Sequence, residues 1–249
     1  MNKNILFAFM GVALILVGCE KSINFAYQGK DRVQFKCYSI PNSYLGTRVY
    51  YSAQTFSFGM LPVEVTEDTA RVVVEYTGRL SEVDRTYYVS ILADSTTAVE
   101  GVHYRAFRRE QVIRAGRAND TLKIVIIRDH LNTSFNNPVN ERLHLVLEPS
   151  EDFDLGIEPG VRMNLLMNDY MTKPSWWDSH MGLYYYHPLK WKILISFSER
   201  YANPQSCPYN ANNEGRAYTT GLNNYLNAIP TFDEETGARL FLSRMQMPQ

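Results

Sequence analysis

The sequence predicts a mainly β protein, in which an antiparallel β-sandwich precedes a small C-terminal α or α/β region. Three observations support this prediction. Between Asp31 and Asp169, short segments alternate apolar and polar residues, turn residues separate these segments, and no helical pattern intervenes. Tyr, Val, Ile and Thr are frequent, with 17 Tyr in 249 residues, as is usual in strands. Many short strands without intervening helices are typical of an antiparallel sandwich.

Each predicted strand is a run of β-forming residues bounded by turn residues. The run at residues 55–58 stops at Gly59, and the run at 70–76 ends before Gly78. Within the segment 86–92, the alternation places Tyr87, Val89 and Ile91 on one face. The other predicted strands cover residues 32–38, 121–127, 143–147 and 162–167.

The composition changes after Tyr170, which predicts a separate C-terminal region over residues 171–249. The segment 188–199 alternates like a strand, but Pro188 also suits the first turn of a helix, so both structures stay open. The remaining predictions here are a loop at residues 202–215 and short helices at 221–229 and 238–245.

The N-terminus has the pattern of a secretory signal. Lys3 precedes an apolar run that ends at Gly18 and Cys19, and this run is shorter than the roughly 20 residues of a membrane-spanning helix. Residues 16–19, Leu-Val-Gly-Cys, are similar to the lipobox, in which the cysteine is acylated and becomes the mature N-terminus. We therefore expect residues 1–18 to be a signal peptide, Cys19 to be lipidated, 19–24 to be a tether and 25–170 to be the sandwich.

The residue after the lipidated cysteine indicates which membrane the lipoprotein is attached to. Glu20 stands where Asp would favour retention of a lipoprotein at the inner membrane of enteric bacteria. The expected location is therefore the cell envelope, with the protein anchored to the outer membrane and either surface-exposed or facing the periplasm. The net charge of −1, without a polybasic run, predicts that nucleic acid is not a partner.

One passage resembles the Calx-β type of immunoglobulin-like sandwich. A turn at residues 100–104, Glu-Gly-Val-His-Tyr, leads to a strand ending in Ala115-Gly116, then to a long strand at 121–127 and a charged loop at Arg128-Asp129. The resemblance implies an immunoglobulin-like fold.

The chain as a whole is similar to the DUF4843 lipoproteins of Bacteroidetes. The shared features are Tyr27-x-Gly29, Phe56-x-Phe58, Asp84-Arg85-x-Tyr87, Thr97-Ala98-x-Glu100-Gly101-x-His103-Tyr104 and Phe153-x-x-Gly156. This resemblance implies a cell-envelope protein, often encoded near glycan-capture machinery, with no established activity.

Metal binding is not expected, although Calx-β modules can bind Ca²⁺ through clustered carboxylates. Ca²⁺ needs six to eight oxygen ligands. The resemblance implies ligands from loops, but His103 and Arg128 stand where acids would be, which removes ligands and adds positive charge. The candidate acids are Asp94, Glu100, Asp129, Asp152 and Asp154, and solvated loop acids are the favoured interpretation. The five histidines lack the usual spacing of transition-metal ligands.

No catalytic motif is present, and no cofactor is expected. The sequence has no Gly-x-Ser-x-Gly elbow, His-Glu-x-x-His, P-loop or dinucleotide-binding glycine motif. The predicted function is therefore non-enzymatic: a binding or assembly module, glycan-associated or in contact with an outer-membrane protein. The alternative is a purely structural or adhesive surface module.

Two candidate ligand features remain. Trp176, Trp177 and Trp191 could stack on sugar rings, but burial against the sandwich is the favoured interpretation, since exposed aromatic patches are uncommon. Three Asp-Ser/Thr matches to a Bacteroidetes O-glycosylation sequence place candidate modifications at Thr69, Ser95 and Thr121.

The cysteines leave one further alternative open. Cys37 and Cys207 remain after lipidation of Cys19, and an oxidising compartment permits a disulfide between them. They can equally be two unpaired residues, with Cys37 as a small core hydrophobe.

Overall fold

The computed structural model describes residues 29–40, 44, 46–180, 182–209 and 213–242. In chain order its strands are β1 (Asp31–Phe35), β2 (Tyr38–Ser39), β3 (Val49–Tyr50), β4 (Ala53–Ser57), β5 (Glu67–Thr77), β6 (Arg85–Ile91), β7 (Glu110–Ile113), β8 (Asn119–Ile127), β9 (Glu141–Glu148), β10 (Phe153–Leu155) and β11 (Arg162–Asn168). Its α-helices are α1 (Glu158–Val161), α2 (Pro188–Phe197) and α3 (Glu214–Ala228). Short 3₁₀ turns cover Ala93–Ser95, Trp177–Ser179 and Glu199–Ala202.

Two sheets form the predicted immunoglobulin-like sandwich. The four-stranded sheet has the order β10-β1-β5-β8, the five-stranded sheet has the order β4-β11-β9-β6-β7, and β2 and β3 form a small hairpin. Neighbouring strands are antiparallel except for the parallel pairs β1–β10 and β4–β11. The mainly β sandwich predicted from the period-two pattern is therefore confirmed.

The sandwich core follows from the register of the strands. Val72 lies opposite Leu122 in the four-stranded sheet, and Leu145 lies opposite Met163 in the five-stranded sheet. All four side chains are buried between the sheets. Because side chains alternate across a strand, the same register directs the intervening residues to the outer faces. Burial of each large apolar side chain contributes about 1.5–3 kcal/mol.

A second hydrophobic cluster lies in the C-terminal region. It consists of Met171, Trp176, Trp177, Leu183, Trp191, Leu194, Tyr201, Leu222, Leu226 and Leu240. The described residues from Asp31 onward nevertheless form one compact unit. No helix in the described ranges is long and apolar enough to cross a membrane.

The open alternative at residues 188–199 is decided in favour of the helix α2. Pro188 occupies its first turn, where the missing N–H costs no hydrogen bond. The His187 side chain caps this end, because its Nδ1 accepts a hydrogen bond from the Leu189 N–H at 3.1 Å.

Two C-terminal helix predictions need correction. Helix α3 begins at Glu214 rather than Gly221, and it takes up the end of the predicted loop; its N-terminal half buries little apolar surface, so it lacks an apolar stripe. The predicted helix at 238–245 is wrong over residues 238–242, and the rest of it lies outside the described residues. Asp233 closes a turn there, and the turn brings Arg239 back to pair with Phe232.

Both described cysteines are free, so the disulfide alternative is wrong. Cys37 is fully buried, and its thiol donates a hydrogen bond to the Pro159 carbonyl at 3.1 Å. Burial raises the pKa of this thiol, which keeps it protonated. Cys207 is half-buried beside Tyr209 in the C-terminal region.

Candidate functional site

The three tryptophans are core residues. Trp176, Trp177 and Trp191 are 5%, 1% and 1% exposed. Each indole N–H donates to a backbone carbonyl, those of Asn203, Tyr184 and Tyr201 respectively. The exposed glycan platform is therefore not formed by these residues, because their rings stabilise the second cluster instead.

Lys190 is a fully buried lysine whose burial the sequence pattern does not indicate. Its Nζ donates to the carbonyls of Leu183 and Tyr185 at 2.9 and 2.6 Å and lies 3.7 Å from the centre of the Tyr185 ring. Burial lowers the pKa of Lys190 to about 7. These contacts hold the turn around Tyr184, whose φ of 56° is left-handed. The alternation around position 190 gave no sign of this role, since a lysine there also suits an exposed face.

A cavity of about 180 Å³ lies between the loop at residues 133–136 and the start of α2. At its base, His187 Nε2 lies 3.1 Å from Asp233 Oδ2. Burial would raise the pKa of Asp233, but hydrogen bonds from Asn136, from two backbone N–H groups and from His187 outweigh it and hold that pKa well below its usual range. Burial lowers the pKa of His187.

This pair resembles a catalytic dyad in composition but not in geometry. His187 Nδ1 is occupied by the Leu189 N–H, and Nε2 faces Asp233. A general base needs a ring nitrogen within reach of the substrate proton. Neither nitrogen is available in this arrangement, so the pair joins the sandwich loop to the C-terminal region instead.

The structure does not bring the calcium candidates together. In the described part of the chain, no three His, Cys, Asp or Glu side chains are arranged to hold a metal ion. Asp94, Glu100 and Asp129 are exposed, and Asp152 accepts a hydrogen bond from the Thr86 N–H at 2.7 Å. The fifth candidate, Asp154, is exposed on β10.

The modification sites differ in their surroundings, and their modification stays a prediction. Thr69 and Thr121 lie on the outer face of the four-stranded sheet. Asp120, the acid before Thr121, accepts a hydrogen bond from the buried Tyr87 hydroxyl at 2.8 Å. Ser95, by contrast, follows an exposed acid, Asp94. Cys19 lies outside the described residues.

The most distinctive exposed feature is the outer edge of β8. The N–H of Tyr76 on β5 donates a hydrogen bond to the carbonyl of Ala118, which precedes β8. In the antiparallel register of these strands, the even-numbered residues of β8 therefore direct their N–H and C=O groups toward β5. Odd-numbered residues direct theirs outward. At one end this edge is covered, because the Val125 carbonyl accepts from Arg105 and the Ile127 N–H donates to His103.

The other half of this edge is open. Within the described ranges no strand pairs with the outward groups of Thr121 and Lys123. We call these outward N–H and C=O groups the open β8 edge. A cavity of about 330 Å³ lies against it, lined by Arg114, Arg117, Asn119, Asp120, Thr121 and Lys123. Unpaired strand edges are sites at which another chain can add a strand.

Positive charge surrounds the open β8 edge. Arg71 and Lys123 are exposed and lie directly opposite each other on β5 and β8. Like charges in that position repel each other. Arg114 and Arg117 reach the same cavity from the turn before β8. We call Arg71, Arg114, Arg117 and Lys123 the basic cluster.

Few acids neutralise the basic cluster. Arg114 forms an ion pair with Asp84, whose pKa is lowered first by a hydrogen bond from the Ala115 N–H and then by Arg114. Among the described residues, Arg117 and Lys123 form no ion pair. Asp120 is held by Tyr87, whose pKa is raised by burial and by this carboxylate. The sequence contained the cluster, but only the register places Arg71 beside Lys123.

One family model matches the chain. It is described as a domain of unknown function, DUF4843, and it covers residues 27–200. No curated protein matches the sequence.

Several solved structures are similar to part of this chain. The apo form of the Calx CBD1 domain is 15% identical, covers 57% of this chain and is covered over 100% of its own length, with a TM-score of 0.39. A Bacteroides ovatus ATCC 8483 protein with a suggested carbohydrate-binding role is 10% identical, with 57% of this chain and 38% of that chain covered and a TM-score of 0.37. A Bacteroides ovatus protein of unknown function is 17% identical, with 54% and 43% covered and a TM-score of 0.37. This chain thus spans less than half of either Bacteroides protein.

Proposed function

The chain belongs to the DUF4843 family, and on that basis we propose that it is a non-enzymatic lipoprotein of the cell envelope that binds a partner protein at the outer membrane. Acylation of Cys19 anchors the chain. Two or three acyl chains suffice for stable anchoring, since each buried methylene contributes about 0.8 kcal/mol. The sandwich then acts as a binding or assembly module.

The observation that supports this proposal is the open β8 edge. Thr121 and Lys123 each direct one N–H donor and one C=O acceptor outward, away from β5, in the geometry of an unpaired sheet edge. A partner segment in extended conformation can add to this edge and satisfy these groups. Each such hydrogen bond contributes about 0.5–1.5 kcal/mol net, so side-chain contacts must supplement them.

Glycan binding through the tryptophans has less support. All 3 Trp of the chain are buried, so no Trp ring is available to stack on a sugar without unfolding the second cluster. The proposed role therefore relies on protein contact rather than on a carbohydrate platform.

Photo-crosslinking in the outer membrane tests the proposal. A photoreactive phenylalanine analogue at position 119, which lines the cavity beside the open β8 edge and lies outside the basic cluster, is expected to yield a discrete protein adduct in the full lipidated chain. The control position is Asp154, which is exposed on β10 at the opposite edge of the same sheet. No adduct at 119, or equal adducts at both positions, would contradict the proposal.

A matched pair of variants identifies the backbone contribution. Thr121→Pro removes only an outward N–H and leaves the hydrogen bonds to β5, because proline is tolerated at an edge position. Thr121→Val keeps that N–H and removes the hydroxyl. The adduct is expected to disappear in the first variant and to persist in the second. Loss in both would instead indicate that the threonine hydroxyl, or a modification of it, makes the contact.

A further inference from the structure

We propose that the segment which adds to the open β8 edge is an acidic, extended peptide segment, with carboxylates at alternating positions. This inference rests on the proposed function, because it assigns the chemistry of the partner that the edge receives. The observation behind it is the basic cluster beside the unpaired backbone groups.

The geometry of a sheet determines where the partner's side chains lie. A strand added beside β8 places every second side chain on the outer face, about 4.5–5.5 Å from its cross-strand neighbour. On that face the neighbours along β8 are Thr121 and Lys123, and Arg71 follows on β5. A carboxylate opposite Lys123 would therefore lie beside this cation, with Arg71 one strand further into the sheet.

A second carboxylate has a separate place to bind. The cavity next to the edge is open to solvent and receives Arg114 and Arg117 from the turn before β8. Arg117 has no acidic partner among the described residues, and its planar guanidinium suits a carboxylate. Two carboxylates on one added segment can thus meet Lys123 and Arg117, which line the same cavity.

The acids already present do not occupy these places. Asp84 engages Arg114 and the Ala115 N–H. Asp120 also lines the cavity, but its Oδ2 accepts a hydrogen bond from the buried Tyr87 hydroxyl. A basic partner would meet only repulsion from the exposed cations, and a neutral strand would leave the repulsion between Arg71 and Lys123 unrelieved.

A random eight-residue peptide display library, selected on the full chain in detergent, tests the inference. Selected peptides are expected to carry Asp or Glu at alternating positions. Their affinity is expected to fall as salt rises from about 50 to 300 mM, because salt screens charges at this exposed site. The neutral double variant Arg117→Gln/Lys123→Gln is expected to weaken binding about three- to tenfold.

Charge reversal and the edge variant separate the two proposals. Selection on Arg117→Glu/Lys123→Glu is expected to enrich Lys and Arg, while Thr121→Pro is expected to lose the acidic peptides. Peptides without acidic preference that still require the Thr121 N–H would overturn the acidic partner and leave strand addition intact. Acidic peptides that bind Thr121→Pro as well as the original chain would overturn strand addition at this edge. Binding of an oligogalacturonate in place of any peptide would overturn the peptide as the partner.

Discussion

His187 and Asp233 form a buried pair, with Nε2 and Oδ2 3.1 Å apart and residue exposures of 6% and 3%. Asn136, from the sandwich, donates to the same Asp233 oxygen at 2.9 Å. The pair therefore connects the sandwich loop, the start of α2 and the last turn of the described chain.

Acid should destabilise the protein through this pair. Burial keeps the pKa of His187 below its ordinary value, so the unfolded chain binds the proton first as pH falls through about 6.5. The pKa of Asp233 is held well below the usual range, so its contribution is present above about pH 4 and is lost as pH falls further. Urea unfolding at pH 7, 5.5 and 4 is expected to show falling stability.

Asp233→Ala should reproduce part of this loss at neutral pH. It removes a buried acceptor of several hydrogen bonds, which costs about 3–5 kcal/mol. Glu234→Ala, at the exposed neighbouring position, is the control and should change stability by less than about 0.5 kcal/mol. Equal effects would contradict a structural role for the pair.

Alkaline pH should stabilise the protein through Lys190. The pKa of about 7 in the folded chain lies below the roughly 10.4 of an unfolded lysine, so the unfolded chain binds more protons between these values. The free energy of unfolding is expected to rise by about 1–3 kcal/mol between pH 7 and 9.5. Above about pH 10 it should fall, since burial raises the pKa values of Tyr186 and Tyr201 in the folded chain.

The slope of the unfolding free energy against pH in two variants tests whether Lys190 causes this rise. Lys190→Met should remove the rise, whatever its effect at pH 7, because methionine does not titrate. Lys192→Met, on the exposed face of the same helix, should retain it. A rise that persists in Lys190→Met would assign the effect to another group.

The tryptophans should be shielded from solvent. Since all 3 lie in the second cluster with 5% exposure or less, iodide should quench their emission weakly in the folded chain and strongly after unfolding. Trp177→Ala should cost about 3–5 kcal/mol of stability, whereas the exposed Tyr184→Ala should cost far less. Strong quenching of the folded chain would contradict the burial.

The two described thiols should differ in reactivity. Cys37 is fully buried with a raised pKa, so a thiol reagent should modify it only after unfolding. Cys207 is half-buried and should react in the folded chain. Cys207→Ser is expected to leave no rapidly reacting thiol in the lipidated protein, and persistent fast labelling in that variant would place Cys37 at the surface.

Lipidation should depend on Cys19 alone. Cys19→Ser is expected to abolish incorporation of labelled palmitate and to release the protein from the membrane fraction, because a signal peptide without this cysteine gives no acyl anchor. Cys37→Ser is the matched control and should remain lipidated. Label incorporated into Cys19→Ser would contradict this anchor.

The sandwich could be predicted from local sequence patterns. Strand alternation is a local property, so Tyr87, Val89 and the leucines of β9 could be assigned to the core before their partners were known. The family was also predictable from short sequence motifs, and the family model over residues 27–200 confirms it. The choice at residues 188–199 stayed open because a short apolar segment suits both a strand and a helix.

The candidate site and the roles of single residues depend on contacts between segments that are distant in the chain. Arg71 and Lys123 are far apart in the chain and become neighbours only through the register of β5 and β8. Lys190 and His187 are polar residues whose burial depends on carbonyls and carboxylates supplied by other segments. The position of the open edge is likewise a property of the whole sheet, because it depends on how all the other strands pair.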